Sequence, residues 1–377
     1  MSRIDDLIAE LAPNGVQSRS LASLGQRNAG TSITAARMKV IQAEGGTVRI
    51  FAGGKTIADV PEDSVPAKDI IREPSIIVKS RGHIGFSYYE RPFTHKAELW
   101  SYTLTDPAVD RKFVYYYLLT KVDELQEVAR ATSVKLPQLG VRDTDTLKIP
   151  VPPLEVQREI VRILDTFTEL EAELEAELEA RKRQYAYFRA ELMTFGDHVP
   201  RRPLGEIATI GTGSHDTKDA IPDGDYVFYA RGRDPLRLDS FDFDERAIIT
   251  AGDGVGVGKV FHFADGKYAL HQRAYRIVPA AGVDPRYVYH YLVTDFARYL
   301  ERTSVHASVT SLRRPMFLKY PVPLPSLDEQ QHISEALDKF DALVNDLSIG
   351  LPAELKSRRK QYEYYRDKLL TFEETVA

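Results

Sequence analysis

The stretch AGDGVGVGK (251–259) has the residue types of a phosphate-binding loop, glycines leading into a lysine. A P-loop needs G-x-x-x-x-G-K-[ST]; counting back from Gly258 and Lys259, Asp253 stands where the first glycine belongs, and Val260 replaces the hydroxyl. The dinucleotide pattern G-x-G-x-x-G also fails, since its third glycine falls on Val257 or Lys259. A tight turn between strands is the reading that remains, with Lys259 able to approach a phosphate. The nine histidines never fall as H-x-x-x-H or H-E-x-x-H, which argues against a metal centre. With no cysteine, thiolate catalysis, thiolate metal ligation and disulfides are excluded, as suits a reducing cytoplasm. No G-x-S-x-G elbow occurs. The D-x-K triplets Asp110–Lys112 and Asp265–Lys267 match the tail of a nuclease pattern but have no acidic partner at a suitable spacing. Pro152-Pro153 lies between Val151 and Leu154, not between the Asn or Asp and the aromatic that hold a flipped base in amino-methyltransferases. No catalytic constellation emerges.

Binding chemistry is better represented. Lys79, Arg81, His83, His95 and Lys96 sit on or beside strands and turns of one block, and Arg231, Arg233, Lys259, His271, Gln272 and Arg273 do so in another. Arginine, lysine, histidine and glutamine together suit phosphate oxygens and base edges. Any one exposed arginine is ordinarily just a solvated charge; clusters in both blocks make the case for DNA. The overall net charge of −5 opposes a polyanion, but it is unevenly spread. Residues 1–150 carry 20 basic and 18 acidic side chains and residues 201–325 carry 17 and 15, whereas 151–200 carry 6 and 11 and 326–377 carry 7 and 11. A DNA backbone responds to the local field, because salt screens charges beyond roughly 10 Å.

The elements that hold these residues come in pairs. VRIFAGGKTIADV (48–60), PSIIVKSRGHIGFSYY (74–89) and FTHKAELWSYTL (93–104) read as short strands with glycine turns, as do DYVFYARGRDPLRL (225–238), AIITAGDGVGVGKVFHF (247–263) and YALHQRAYRIV (268–278). Each block ends in a helical stretch, about 111–130 and 284–301, so both are expected to be α+β domains with a curved sheet. VDRKFVYYYLLT (109–120) pairs with VDPRYVYHYLVT (283–294), ATSV (131–134) with RTSV (302–305), LKIPVPPLEVQREIVRILDTF (147–167) with LKYPVPLPSLDEQQHISEALDKF (318–340), and RKRQYAYFR (181–189) with RRKQYEYYR (358–366). The chain is an internal duplication in which the helical segments match better than the blocks.

Ile160, Leu164, Phe167, Glu171, Leu174, Leu178, Arg181, Tyr185, Phe188, Leu192 and Phe195 follow at alternating spacings of four and three, a heptad seam closed by Gly196. About 40 helical residues make a rod of roughly 60 Å. The second copy runs Ile333, Leu337, Phe340, Val344, Leu347, then Leu355, Arg358, Tyr362, Tyr365, Leu369 and Phe372, with four extra residues near SIGLPAEL (348–355). Gly350 and Pro352 predict a kink or a short break there. Such rods bury their seams only against each other, and an antiparallel pair is the simplest arrangement. Tyr185, Tyr187, Phe188, Tyr362, Tyr364 and Tyr365 exceed what a two-helix seam requires. Two readings fit them: padding for the base of a neighbouring domain, or docking surface for a partner protein.

Taken together, the twice-used P-x-P…L-x-x-Q-x-x-I entry (Pro150–Ile160 and Pro323–Ile333), the helices ending in RKRQYAYFRAELMTF and RRKQYEYYRDKLLTF, and the stretches FAGGKTIADV, PSIIVKSRGHIGF, HKAELWSY, AGDGVGVGKV and HQRAY resemble the specificity subunits of type I restriction–modification enzymes over nearly the whole chain. The resemblance implies two target-recognition domains, 1–148 and 197–321, each reading one half of a bipartite, asymmetric DNA site. They alternate with two long-helix regions, 149–196 and 322–377, the latter with a possible break near 350–352. It implies that the helices set the half-site spacing and bind two methyltransferase (modification) subunits, with restriction subunits completing the enzyme. S-adenosylmethionine, ATP and magnesium then belong to those partners, and this chain is non-catalytic. No apolar run reaches the roughly 20 residues of a membrane helix, and MSRIDDLIAEL lacks the apolar core of a secretory signal, so a cytoplasmic protein is expected. A stand-alone DNA-modifying or DNA-cleaving enzyme and a coiled-coil protein-binding scaffold are the alternatives.

Overall fold

The computed structural model describes residues 3–54, 56–132, 135–254, 256–303, 313–345 and 350–373. Parts of the ATSV and RTSV pair, Val255 and the segment 346–349 with Leu347 lie outside the described residues. The chain divides into two compact units, Met1–Glu173 with Lys356–Ala377, and Leu174–Leu355.

Six helices organise them: α1 (Arg111–Thr120), α2 (Val122–Thr132), α3 (Leu154–Leu192), α4 (Pro285–Thr303), α5 (Leu327–Asn345) and α6 (Gly350–Leu369). Helix α3 starts directly after Pro152 and Pro153, which hold the chain extended and cannot sit inside a helix. Its middle is alanine, leucine and glutamate, all strong helix formers. The second long segment is two helices. Gly350 has a φ of +68°, outside the right-handed helical region, and α6 begins on it. A Cβ there would lie 2.8 Å from the Leu343 carbonyl oxygen, so only glycine makes this joint.

In the first unit, strands β1 (Gly25–Ala29), β2 (Val48–Phe51), β3 (Ile57–Val60), β4 (Ser75–Lys79), β5 (Gly85–Tyr89), β6 (Phe93–His95) and β7 (Trp100–Leu104) form two sheets, in the orders β1-β7-β4-β5 and β3-β2-β6. Only β2 and β6 run parallel. In the second unit β8 (Ala208–Thr212), β9 (Tyr226–Tyr229), β10 (Leu236–Leu238), β11 (Phe243–Ala251), β12 (Phe261–Leu270) and β13 (Ala274–Pro279) form one sheet, ordered β8-β13-β11-β12-β9-β10. The topology is the same once β5 and β6 are seen as halves of the strand that β12 makes whole. Pro92, which has no N–H to give a ladder, lies between the halves. In each unit a short antiparallel ladder ties the start of the domain to its end: Ser18–Ser20 with Lys148–Pro150, and Arg201–Pro203 with Pro321–Pro323.

Each unit packs its domain helix and a pair of rod segments into one core. In the first, Phe113, Leu118, Ile149, Ile160, Leu164 and Leu370 are buried together; in the second, Leu178, Tyr287, Phe296, Phe317, Ile333 and Leu337 are. Each side chain so covered contributes about 1.5–3 kcal/mol before entropy is set against it. The rod segments are antiparallel within each unit. Phe167 on α3 meets Tyr362 and Tyr365 on α6, and Glu171 pairs with Arg359 at 2.6 Å, so numbers rise on one helix as they fall on the other. In the second unit Phe188 stacks on Phe340 of α5. The seam is less continuous than its periodicity predicts. Arg181 and Leu192 are exposed, and Arg181 pairs along its own helix with Glu177 at 3.3 Å.

Candidate nucleic-acid interface

Five of the residues singled out in the first block lie on two neighbouring turns. Lys79 ends β4, and Arg81 and His83 stand exposed on the turn to β5. Gln126 of α2 braces that turn from behind: its Nε2 donates to the Gly82 carbonyl oxygen at 3.1 Å, and its Oε1 accepts from Ile84 N at 2.9 Å. Ser80 Oγ donates to the Glu98 carbonyl oxygen at 2.6 Å, which joins this turn to the one after β6. There Lys96 Nζ lies 2.6 Å from the Glu98 carboxylate. Burial pushes the Glu98 carboxyl up, but Lys96 and the nearby charge of Arg81 outweigh it and hold Glu98 below the ordinary range.

The second block builds a denser cluster at the matching strand ends. Asp253 bridges two arginines, its Oδ1 accepting from Arg231 Nη1 at 2.9 Å and its Oδ2 from Arg273 Nη1 at 3.0 Å. Burial works against the Asp253 charge, and the two guanidinium hydrogen bonds prevail, so this carboxyl too is held low. The loop fits because Gly256 has no side chain; a Cβ would lie 2.7 Å from the Arg231 carbonyl oxygen. Arg233 and Lys259 are exposed, and Gln272 Nε2 donates to Asp216 Oδ2 at 3.1 Å. A fork of two guanidinium groups held by one carboxylate is a preorganised donor array for phosphate or for guanine.

Two histidines expected at the surface are inside. His95 is fully buried, with Nε2 3.2 Å from Ser101 Oγ, and burial lowers its pKa. His271 is buried, and its Nδ1 accepts from Arg273 N at 2.9 Å. Phe51 faces His95 and Tyr229 faces Leu270, so Lys96, not His95, occupies the place that His271 takes in the second unit. The two histidines sit within their loops, bonded to Ser101 and to the Arg273 backbone, and present little surface. Asp253 and Glu98 were missed; Glu98 stands two residues after Lys96, but Asp253 lies twenty or more residues from both arginines it bridges, with Asp234 nearer in sequence to Arg231.

The repeated aromatics divide by position. Tyr185 is buried, Phe188 stacks on Phe340, and Tyr362 is half-buried against Phe167. These three form the helix pairs and present little to a partner, so of the two readings it is packing, not docking, that fits them. Tyr187 and Tyr364 are 65% and 62% exposed, and Tyr365 is exposed beside Tyr364. Leu170 and Leu343, matched positions of the repeat, are also exposed, at 42% and 53%. Each unit thus carries a matched outward tyrosine and a matched outward leucine on its helix pair, with Tyr365 also exposed in the first unit and Leu192 in the second. Among the described residues no group of three or more His, Asp or Glu could hold a metal ion, and no helix is long and apolar enough to cross a membrane.

The family model described as the type I restriction modification DNA specificity domain matches the chain twice, over residues 13–180 and 198–357. The specificity subunit of the EcoR124I/EcoR124II type I restriction enzyme of Escherichia coli is 32% identical over 299 residues, covering 69% of this chain and 70% of that one. Among solved structures, the S subunit of a type I restriction-modification system from M. genitalium superposes with a TM-score of 0.61 at 17% identity, covering 94% of this chain and 96% of that one. A chain from a structural study of type I restriction-modification complex assembly gives 0.59 at 13% identity, covering 95% and 98%. At these identities the two structures speak for the fold.

Proposed function

Because the chain belongs to the type I restriction–modification DNA specificity family, a specificity subunit whose role is sequence recognition, we propose that it reads a bipartite, asymmetric DNA site, one half with each unit. The observation that carries this reading is a pair of units with one strand order and two different cation clusters. Lys96 pairs with Glu98 beside the charge of Arg81, on the turn that also carries Lys79 and His83; Arg231 and Arg273 pair with Asp253, with Arg233 and Gln272 next to them in sequence and Lys259 further along the Asp253 loop. A shared scaffold with unlike readers suits a site whose halves differ.

The outward tyrosine and leucine on each helix pair support two equivalent docking places, each taking one methyltransferase subunit. S-adenosylmethionine, ATP and magnesium then act on the methyltransferase and restriction subunits, and this chain contributes recognition without catalysis. With a net charge of −5 it binds DNA weakly alone and tightly, with strong salt dependence, in the complex. Mapping methylated positions in the host genome tests this directly. Two short defined sequences flanking an unread gap are expected. A continuous site, or methyl transfer or nicking by the purified single chain, overturns the proposal.

A further inference from the structure

The L-x-x-Q-x-x-I segment does a geometric job that its sequence does not announce. In the first unit Gln157 is fully buried; its Oε1 accepts from Asp110 N at 2.8 Å, and its Nε2 donates to the carbonyl oxygens of Ala108 at 2.9 Å and Pro152 at 2.6 Å. Asp110 in turn caps α1, accepting from Lys112 N at 2.9 Å and Phe113 N at 3.1 Å. Two turns further along α3, Asp165 takes Lys112 Nζ at 2.8 Å and the Tyr116 hydroxyl at 2.6 Å.

The second unit repeats this construction with different side chains. Gln330 Oε1 accepts from Asp284 N at 3.0 Å and its Nε2 donates to the Pro325 carbonyl oxygen at 2.9 Å, while Asp284 accepts from Tyr287 N at 2.7 Å. Asp338, the counterpart of Asp165, receives the Arg286 guanidinium, with Nε 2.9 Å from both carboxylate oxygens, and His290 Nε2 at 2.6 Å. Lysine and tyrosine in one copy become arginine and histidine in the other, yet the carboxylate and the glutamine stay.

A leucine would fill the glutamine's volume without burying an amide. What the amide adds is direction: hydrogen bonds hold the domain helix at one angle and one register on the rod, where apolar packing tolerates sliding. We infer that Gln157 with Asp165, and Gln330 with Asp338, are positioning residues that fix each recognition domain on its own helix and so narrow the range of half-site spacings the complex accepts. The inference rests on the split-site reading above and adds to it the residues that set the tolerance.

The test uses the full chain co-assembled with its methyltransferase subunits and a DNA library with both half-sites constant and the gap varied one base pair at a time. Wild type should methylate one gap length. In Q330L/D338N the preference for that gap over its neighbours should fall about tenfold, the effect of losing one or two buried hydrogen bonds. Discrimination against base changes inside either half-site should stay as in wild type. The milder D338N should show the same change to a smaller extent and serves if the double variant fails to fold, as judged by thermal melting. R286K/H290Y, which writes the first unit's anchor into the second, should keep the wild-type preference. An unchanged gap preference in folded D338N or Q330L/D338N, or a loss of preference in R286K/H290Y, overturns the inference. So does a fall in base discrimination that tracks the fall in gap preference. A wild-type complex that modifies no split site overturns the functional reading itself, and the anchor proposal with it.

Discussion

Phe167 and Tyr365 stack with ring centroids 5.6 Å apart and planes 24° from parallel. In the other unit Phe188 stacks on Phe340 at 5.9 Å and 25°. Phe167 and Phe340 hold matched positions of the duplication, as do Phe188 and Tyr365, so this is one contact made twice with the two rods exchanging roles. In each unit the early part of one rod packs on the late part of the other.

Truncating these stacks should therefore act unit by unit. F167A and F340A are each expected to lower the stability of their own unit by about 1–3 kcal/mol, less than a fully buried phenylalanine because both rings are half-buried. Urea unfolding followed by hydrogen exchange resolves which unit loosens. Equal loosening of both units by F167A would contradict the unit-by-unit packing.

Tyr187 and Tyr364 stand outside the packing, so Y187A and Y364A should leave melting nearly unchanged, within about 0.5 kcal/mol. Each should weaken the binding of one methyltransferase subunit by about 2 kcal/mol or more, as interface tyrosines do. Native mass spectrometry counts the bound subunits. Full occupancy of both places in the double variant would remove these tyrosines from the interface.

Arg273 and Lys259 should separate two kinds of readout in the second half-site. R273A disrupts the guanidinium pair on Asp253 and should relax base preference in that half-site alone by about 1–3 kcal/mol. K259A should weaken binding to all sequences alike and reduce the log K against log salt slope by about 0.9. Titrations of the assembled complex across a salt series distinguish them; a loss confined to the first half-site in either variant would refute the assignment.

Acid should loosen the anchor of the second unit. Burial pushes Asp338 up, but hydrogen bonds from His290 and Arg286 more than offset this and bring it to about 2. Because the folded value lies below the unfolded one of about 3.9, the contribution is complete above that value. It is lost as pH falls from about 4 toward 2. Melting temperature against pH should drop more steeply in wild type than in D338N across that window; parallel curves would show that Asp338 contributes nothing to the acid response.

The joint between α5 and α6 should tolerate only glycine. G350A forces a side chain into a left-handed backbone and toward the Leu343 carbonyl oxygen, and should cost about 1–3 kcal/mol. A thermal melt of G350A indistinguishable from wild type would show that the joint rearranges freely.

Much of this architecture could be read from sequence because it is written in periodicity and repetition. Heptad spacing, proline and glycine punctuation and the copying of long segments are local signals, and they identified α3, the joint at Gly350 and the paired domains. The absence of cysteine was equally plain. Which cationic and aromatic side chains face outward was decided by tertiary structure. His95 and His271 read as surface groups, yet both are buried: His95 lies at a strand end against Ser101, and His271, in the turn after its strand, accepts from the Arg273 backbone. Tyr185 and Tyr187 are two residues apart in one basic segment, and helical geometry buries the first and exposes the second. Asp253 between Arg231 and Arg273, and Gln157 beneath Asp110, join residues tens of positions apart. Such partnerships depend on where the folded chain brings its loops together, and no spacing along the sequence encodes them.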